Sequence, residues 1–143
     1  MVDQPGVIPH LIVNDAAAAL EFYKQALGAT EVMRMPAPDG KRLMHAEMEV
    51  NGAKIFMCDF FPDHCPADSG QAKVAPPVTL GGTAVMMHLG VPNCDDAFKR
   101  AVAAGATAAM EPWDAFWGAR YAQVRDPFGH AWSFAHQLPG QPA

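Results

Sequence analysis

The chain has 143 residues, half of them hydrophobic, and a formal net charge of −5. This length suffices for one well-buried core and is too short for two conventional domains, so we expect a single domain. Because acidic residues outnumber basic ones and no Lys/Arg cluster occurs, the sequence predicts neither a nucleic-acid partner nor an anionic membrane surface.

Cysteine content and hydropathy bear on the compartment. The three cysteines, Cys58, Cys65 and Cys94, are odd in number and form no CxxC pair, which is typical of a reduced protein. The first ten residues lack a basic segment followed by an apolar one, and nowhere do about 18 uncharged apolar residues run together. We therefore expect a cytoplasmic protein without an export signal or a membrane span.

The first half of the chain begins with a strand and a helix. Residues 7–13, VIPHLIV, are a β-branched apolar run, and Asn14 and Asp15 offer side-chain oxygens to cap a helix. The helix itself is predicted by an apolar stripe at helical spacing that ends before Gly28: Ala16, Leu20, Tyr23 and Leu27.

Three further strands are predicted after this helix. Residues 29–35 look extended, residues 36–40 form a turn, and residues 43–50 alternate in part. The pair Asn51-Gly52 favours a tight hairpin turn, because both residues accept a positive φ. Residues 53–60 then return as the next strand, so the first half has the order β-α-β-β-β.

A long connection separates the two halves. Residues 61–80 carry prolines at positions 62, 66, 76 and 77, which remove backbone donors and interrupt strand ladders. A loop of this length in a small domain often covers a site or crosses to a partner subunit.

The second half repeats the order of the first. Residues 83–91 predict a strand, Asn93 caps a helix that ends at Gly105, residues 106–110 are extended, and residues 111–118 are expected to form a loop. The chain then closes with a hairpin, YAQVRDPFGHAWSFAH, about a turn at residues 126–129. Pro sets φ for the first corner of this turn, and Gly accepts the positive φ of a later corner.

The two halves match at a nearly constant offset. Residues 27–30 match residues 104–107, and Asn51-Gly52 matches Phe128-Gly129, both 77 positions later. The sequence therefore predicts an α+β domain over residues 1–143, made of two tandem βαβββ modules (about 6–60 and 81–136) with a linker at 61–80.

The repeat makes His10 and His88 equivalent positions, 78 residues apart, in the first strands of the two modules. Two such imidazoles can share one cleft if the modules pair about a pseudo-twofold axis. Alternatively, each is a hydrogen-bonded histidine on an otherwise apolar strand.

Five segments together carry a family resemblance: VIPHLIV, EFYKQALGA, MHAEMEVNG, IFMCDFFP and WGARYAQVRDPFGHAWSFAH. They resemble the vicinal-oxygen-chelate superfamily, also called the glyoxalase/bleomycin-resistance/dioxygenase group, and within it the PhnB-like branch. The resemblance covers about residues 6–136. It implies two βαβββ modules that form a curled mixed sheet around an open cup, a small organic ligand in that cup, and a homodimer.

Many members of that superfamily hold a divalent metal through the first and last strands of each module. Carried over to this chain, the ligand positions are Ile8, Phe56, Met86 and Ser133, of which three cannot bind a hard divalent ion. Two hypotheses follow from the resemblance: a metal-assisted lyase, isomerase or dioxygenase, or a metal-free ligand-binding or drug-sequestering protein of the bleomycin-resistance type.

A displaced metal site is one alternative. His10 and His88 lie two residues beyond the expected ligands, hence on the same strand faces, and with Cys58 they would suit a zinc-like ion. The other alternative is that Cys58 is a small buried hydrophobe and that no metal binds.

Other residues are candidates for chemistry or ligand contact. His45 and Glu47 lie two apart on one strand, and form either a proton-transfer or ligand-binding pair or two polar residues on an outer face. His10, His88 and Glu47 are the first choices for catalysis. Candidate ligand contacts are His45, Trp117 in the predicted loop, Arg120 for an anionic group, and Trp132 on the last strand.

Overall fold

The residues that the structure describes, 6–64 and 74–140 of a computed structural model, contain eight strands and two long helices. Within these ranges no helix has the length and apolar character needed to cross a membrane. The first module consists of β1 (His10–Val13), α1 (Ala16–Leu27), β2 (Thr30–Pro36), β3 (Leu43–Val50) and β4 (Ala53–Asp59). After a short helix α2 (Pro77–Leu80), the second module consists of β5 (Met86–Gly90), α3 (Cys94–Ala104), β6 (Thr107–Asp114), β7 (Ala119–Arg125) and β8 (Ala131–Gln137).

The strands form two mixed sheets of four, with the orders β1-β4-β3-β2 and β5-β8-β7-β6. In each sheet the first strand of the module pairs in parallel with the last, and the other pairs are antiparallel. His10 lies opposite Phe56 in the first sheet and His88 lies opposite Ser133 in the second. The predicted α+β fold with a βαβββ repeat is therefore confirmed.

Both long helices begin at side chains that accept backbone N–H groups. Asp15 accepts from Ala18 N at 3.0 Å, and Asn93 accepts from Asp96 N at 3.0 Å, as the sequence predicted. Helix α1 ends at Gly28, which has a φ of +69°. These contacts satisfy backbone donors that a helix leaves without partners in its first turn.

A second acceptor at each helix start comes from the last strand of the same module. The buried carboxylate of Asp59 accepts from Ala16 N at 3.1 Å, and it also accepts from Leu43 N at 2.6 Å. At the equivalent place in the second module, His136 Nδ1 accepts from Cys94 N at 2.7 Å. Two unrelated side chains therefore meet the same backbone requirement at equivalent positions.

A buried carboxylate ties helix α1 to the last hairpin. Asp126, 3% exposed, accepts from the Tyr23 hydroxyl and from Trp132 Nε1 at 2.8 Å. Its other oxygen accepts from the backbone N–H groups of Phe128 at 2.8 Å and His130 at 3.0 Å. Because Tyr23 belongs to the first module and the hairpin to the second, this carboxylate fixes both the turn and the packing between modules.

The edges of the two sheets are joined by a reciprocal pair of hydrogen bonds. His130 Nε2 donates to the carbonyl of Ile12 at 3.0 Å, and Asn51 Nδ2 donates to the carbonyl of Gly90 at 2.7 Å. Ile12 and Gly90 are 78 positions apart, which is the offset between His10 and His88. Each module thus supplies one donor from its final turn and one carbonyl from its first strand.

Several boundaries differ from the sequence prediction. Strands β1 and β5 are shorter than the apolar runs 7–13 and 83–91. The predicted loop 111–118 is wrong in its first half, because β6 continues to Asp114 and only residues 115–118 form the turn. Pro112 is tolerated inside this strand because β6 is an edge strand.

The linker prediction is tested only in part. Residues 65–73 lie outside the described residues, whereas Pro62–His64 form a 3₁₀ turn and α2 packs over the last hairpin turn. Gly129 in that turn has a φ of +91°, and a methyl group there would lie 2.9 Å from Pro77 Cβ. Glycine is therefore required both by conformation and by space.

Candidate functional site

Each sheet has one face that packs against a helix and one that does not. In the first sheet Leu11, Val13, Met48 and Met57 are buried on the helix side. Alternate residues point the other way, and we call this side the first open face: His10, His45, Glu47, Lys54, Phe56 and Cys58. In the second sheet the corresponding side is the second open face: His88, Tyr121, Gln123 and Ser133.

Three rings form a contiguous group on the first open face. The ring of His10 lies 5.8 Å from that of His45 and 5.9 Å from that of Phe56, centroid to centroid, and His45 lies 4.8 Å from Phe56. All three contacts are edge-to-face, a favourable arrangement for aromatic rings. Burial, and then the neighbouring His45, lower the pKa of His10, which favours the uncharged imidazole.

A polar pair lies beside these rings. His45 Nε2 lies 3.2 Å from Glu47 Oε1, and Lys54 Nζ lies 3.6 Å from Glu47 Oε2. The hydrogen bond with His45, followed by the charge of Lys54, lowers the pKa of Glu47, against the opposing effect of its partial burial. Since the carboxylate can only accept, His45 donates from Nε2, and in a neutral ring Nδ1 remains as an acceptor.

The second open face carries two hydrogen-bonded pairs. His88 Nδ1 lies 2.8 Å from Ser133 Oγ, and Gln123 Nε2 donates to the Tyr121 hydroxyl at 3.0 Å. The rings of His88 and Tyr121 are nearly parallel, at 18°, with centroids 6.2 Å apart. Ser133 is buried beneath His88, which leaves Nε2 as the ring nitrogen of His88 that is free of this bond.

Aromatic rings extend from this face to the β6–β7 turn. Trp117 contacts Tyr121 at 5.4 Å, Trp113 at 5.7 Å and Phe116 at 5.0 Å, each close to perpendicular. Trp117 is 52% exposed and Phe116 is 92% exposed. These rings form an accessible aromatic rim, defined as Trp113, Phe116 and Trp117, in the position where Trp117 was predicted to meet a ligand.

A cavity of about 460 Å³ lies where the two sheets meet. We call it the junction cavity. Among the described residues, Lys54 and His88 are its ionisable lining residues, and the others that line it are apolar: Val7, Ile8, Pro9, Val50, Ala53, Ile55, Met87, Leu89 and Trp132. Residues from both open faces therefore line one cavity.

The superfamily's metal does not fit the residues present. The four carried-over positions hold Ile8, Phe56, Met86 and Ser133, and the Ser133 hydroxyl is already bonded to His88. Across residues 6–64 and 74–140, no three His, Cys, Asp or Glu side chains are grouped so that they could hold a metal ion. His10, His88 and Cys58 are therefore not grouped as a metal site among the described residues.

Arg120 forms hydrogen bonds with carboxylates of the protein itself. Its guanidinium donates twice to Asp95 at 3.0 Å and once to Asp114 at 3.1 Å. These hydrogen bonds lower the pKa of Asp95, so the pair stays ionised. Arg120 therefore joins the start of α3 to the β6–β7 hairpin, and its contact with an anionic ligand stays a prediction.

Trp132, the other predicted ligand contact on the last strands, is almost fully buried. It lies on the helix side of β8, is 1% exposed, and packs its ring 5.4 Å from that of Tyr23. Its indole N–H donates to Asp126. Trp132 forms a wall of the junction cavity, but its polar atom is used by the buried network.

Sequence reasoning missed Lys54, Tyr121 and Gln123. Their positions follow from alternation: Lys54 is two residues before Phe56, and Tyr121 and Gln123 alternate on β7. The available signal was therefore the period of the strand, once His10 and His88 had marked which side of each sheet is open.

A family model described as the Glyoxalase/Bleomycin resistance protein/Dioxygenase superfamily matches residues 7–134. An uncharacterized protein of Mycobacterium bovis is 45% identical over 139 residues, which cover 97% of this chain and 84% of that protein.

Solved structures share the fold. A glyoxalase/bleomycin resistance protein/dioxygenase from Nocardioides is 27% identical, with a TM-score of 0.66, and the match covers 100% of this chain and 93% of that one. A Bacillus cereus protein described as a putative 3-demethylubiquinone-9 3-methyltransferase, PhnB protein, is 14% identical, with a TM-score of 0.68 and coverage of 92% and 99%.

Proposed function

The chain belongs to the glyoxalase/bleomycin resistance protein/dioxygenase superfamily, and we propose that it binds a small organic molecule on its two open faces without a metal ion. Membership supports small-molecule binding in general. The finer proposal rests on one observation: the carried-over metal positions hold Ile8, Phe56, Met86 and Ser133, whereas the adjoining positions carry imidazole and aromatic rings. Such rings favour a planar, partly apolar ligand, because stacking and edge contacts add to burial of apolar area.

Metal analysis combined with ligand screening tests this proposal. Protein purified without an affinity tag or chelator is analysed by mass spectrometry for bound metal, and its melting temperature is measured across a library of planar aromatic and aliphatic compounds. A ligand that binds the folded state raises this temperature. We expect substoichiometric metal and a shift with planar compounds that decreases in Trp117→Ala and in His45→Ala.

Lys99→Ala provides the matched control, because Lys99 is exposed on α3, away from both open faces. Its ligand-induced shift should equal that of the unmodified chain. One metal ion per chain would overturn the metal-free proposal, and the absence of any shift across the library would overturn small-molecule binding on these faces.

A second candidate function, proton transfer to or from the bound molecule, is favoured by the 3.2 Å contact between His45 Nε2 and Glu47. The carboxylate orients the ring and leaves Nδ1 as a base, and such catalysis typically contributes about 10²–10⁴-fold. In deuterated buffer, a ligand with an acidic C–H should exchange that hydrogen on the protein. Glu47→Gln should slow the exchange at least about tenfold with little change in affinity, and an unchanged rate would leave binding as the function.

The rim also supports the proposal of a homodimer. Phe116 is almost fully exposed and Trp113 and Trp117 lie beside it, and exposed aromatic clusters commonly mark sites of association. Light scattering on a sizing column should give twice the mass of one chain. In Phe116→Ser the dimer should dissociate at higher protein concentration than in the unmodified chain, and a monomer at all concentrations would contradict the proposal.

A further inference from the structure

The ionisable groups that line the junction cavity are basic. Among the described residues that line it, Lys54 and His88 carry ionisable groups, none carries a carboxylate, and the others are apolar. A complementary ligand therefore has an apolar body and one acidic group.

Both polar groups keep hydrogen-bonding capacity for such a ligand. Lys54 Nζ is 3.6 Å from its carboxylate neighbour Glu47, beyond the usual length of a charge-assisted hydrogen bond, so its ammonium protons remain for another acceptor. His88 uses Nδ1 with Ser133, and a neutral ring that accepts there presents an N–H at Nε2.

The number of donors points to a carboxylate rather than a phosphate. One ammonium and one imidazole can bind the two oxygens of a monoanion, whereas phosphate sites usually add arginine or the backbone N–H groups of a helix start. Within residues 6–64 and 74–140, no arginine lines this cavity. Its volume of about 460 Å³ lies within the range of small-molecule sites, roughly 300–1,000 Å³.

We propose that the junction cavity binds the apolar body of an organic carboxylic acid, with the carboxylate held by Lys54 and His88. This inference rests on the proposed small-molecule function and adds the chemical class of the ligand. Glu47 then has a further role, because it lies behind Lys54 and orients the ammonium group from outside the cavity.

Paired probes test the inference. Octanoate and 1-octanol share an alkyl chain and differ in the carboxylate, so their affinities are compared by calorimetry at pH 7. Methyl-labelled Met87, which lines the cavity, reports occupancy by NMR. We expect octanoate to bind at least tenfold more tightly than octanol and to shift the Met87 methyl signal.

Three variants distinguish the effect of the Lys54 charge from the effect of the apolar cavity on binding. Lys54→Met removes the ammonium group at similar length and should abolish the tenfold preference, whereas Lys99→Met, on the exposed side of α3, should retain it. Ile8→Trp fills the cavity and should weaken both probes alike. Circular dichroism on each variant confirms that the fold is intact.

Equal affinity for the two probes, or an unchanged preference in Lys54→Met, would overturn the carboxylate assignment. Octanoate binding without a shift at Met87 would overturn the location. Either result leaves the proposed function standing if planar compounds still raise the melting temperature in a Trp117-dependent way. If neither probe binds and no library compound raises the melting temperature, both proposals are refuted.

Discussion

Replacing Asp126 by asparagine tests whether one buried carboxylate holds the last hairpin to helix α1. In Asp126→Asn, one oxygen keeps the bonds to the backbone N–H groups of Phe128 and His130. The new amide nitrogen then faces the Tyr23 hydroxyl and the Trp132 indole N–H. The hydroxyl can rotate to accept a hydrogen bond, but the indole N–H only donates and loses its partner.

The expected loss of stability follows from these contacts. An unsatisfied buried donor costs about 1–3 kcal/mol, and each hydrogen bond to a charged group contributes about 1.5–3 kcal/mol more than its absence. We therefore expect Asp126→Asn to lower the free energy of unfolding by about 3–5 kcal/mol. Tyr23→Phe, which removes one donor and leaves the carboxylate with three, should cost about 1.5–3 kcal/mol.

Urea unfolding at pH 7, followed by tryptophan fluorescence and by circular dichroism, measures both losses. The decisive result is that Asp126→Asn loses more stability than Tyr23→Phe, because the asparagine leaves the Trp132 indole N–H without an acceptor. A loss below about 0.5 kcal/mol in Asp126→Asn, or a larger loss in Tyr23→Phe, would refute the role assigned to the carboxylate.

Three further variants test other contacts. The pKa of Tyr23 is raised, chiefly by burial. The uncharged hydroxyl of Tyr23 therefore contributes its full stabilisation below about pH 10, and this stabilisation is lost as the pH rises further. In the unmodified chain the urea midpoint should fall above about pH 10, and in Tyr23→Phe this fall should be smaller. Gly129→Ala should lower the free energy of unfolding by about 1–3 kcal/mol more than Gly40→Ala, since both glycines have positive φ but only Gly129 has a close neighbour. Equal losses in thermal or urea unfolding would contradict that packing. In His45→Ala the pKa of Glu47 should rise, because its main depressing contact is removed, and carboxyl-detected NMR that shows no rise would mean that this contact is absent in solution.

The turns and the repeat were predictable because their signals are local. Asn51 and Gly52 have φ values of +53° and +80°, as their residue types favour, and the turn before His130 has its glycine at positive φ. The helix caps Asp15 and Asn93 likewise act within three residues. Such features depend on neighbours in the chain and need no tertiary information.

The roles of Arg120 and Trp132 were not predictable from the sequence. Alternation along a strand separates two faces but does not say which face a helix covers. Packing of the helices decides this, because Trp132 lies against Tyr23 of α1 and Arg120 is bound by Asp95 of α3. Both partners are residues whose proximity arises only when the chain is folded.

The hypothesis of a displaced metal site also depended on tertiary contacts that the sequence does not give. Position by position, the sequence places the poor metal ligands Ile8, Phe56 and Met86 where the family's ligands are expected. It also placed His10 and His88 at equivalent positions. Equivalence in the repeat does not bring two side chains together, and here it leaves them on separate sheets, His88 bonded to Ser133 and His10 packed against His45.

The two imidazoles of the last hairpin have opposite hydrogen-bonding roles. His130 donates from Nε2 to the Ile12 carbonyl, whereas His136 accepts at Nδ1 from Cys94 N. Asp59 accepts in the same way at the equivalent helix start of the first module. The contact between the modules therefore requires a side-chain donor at position 130, and the start of α3 requires a side-chain acceptor at position 136, so the two histidines of a near-symmetric chain are not interchangeable.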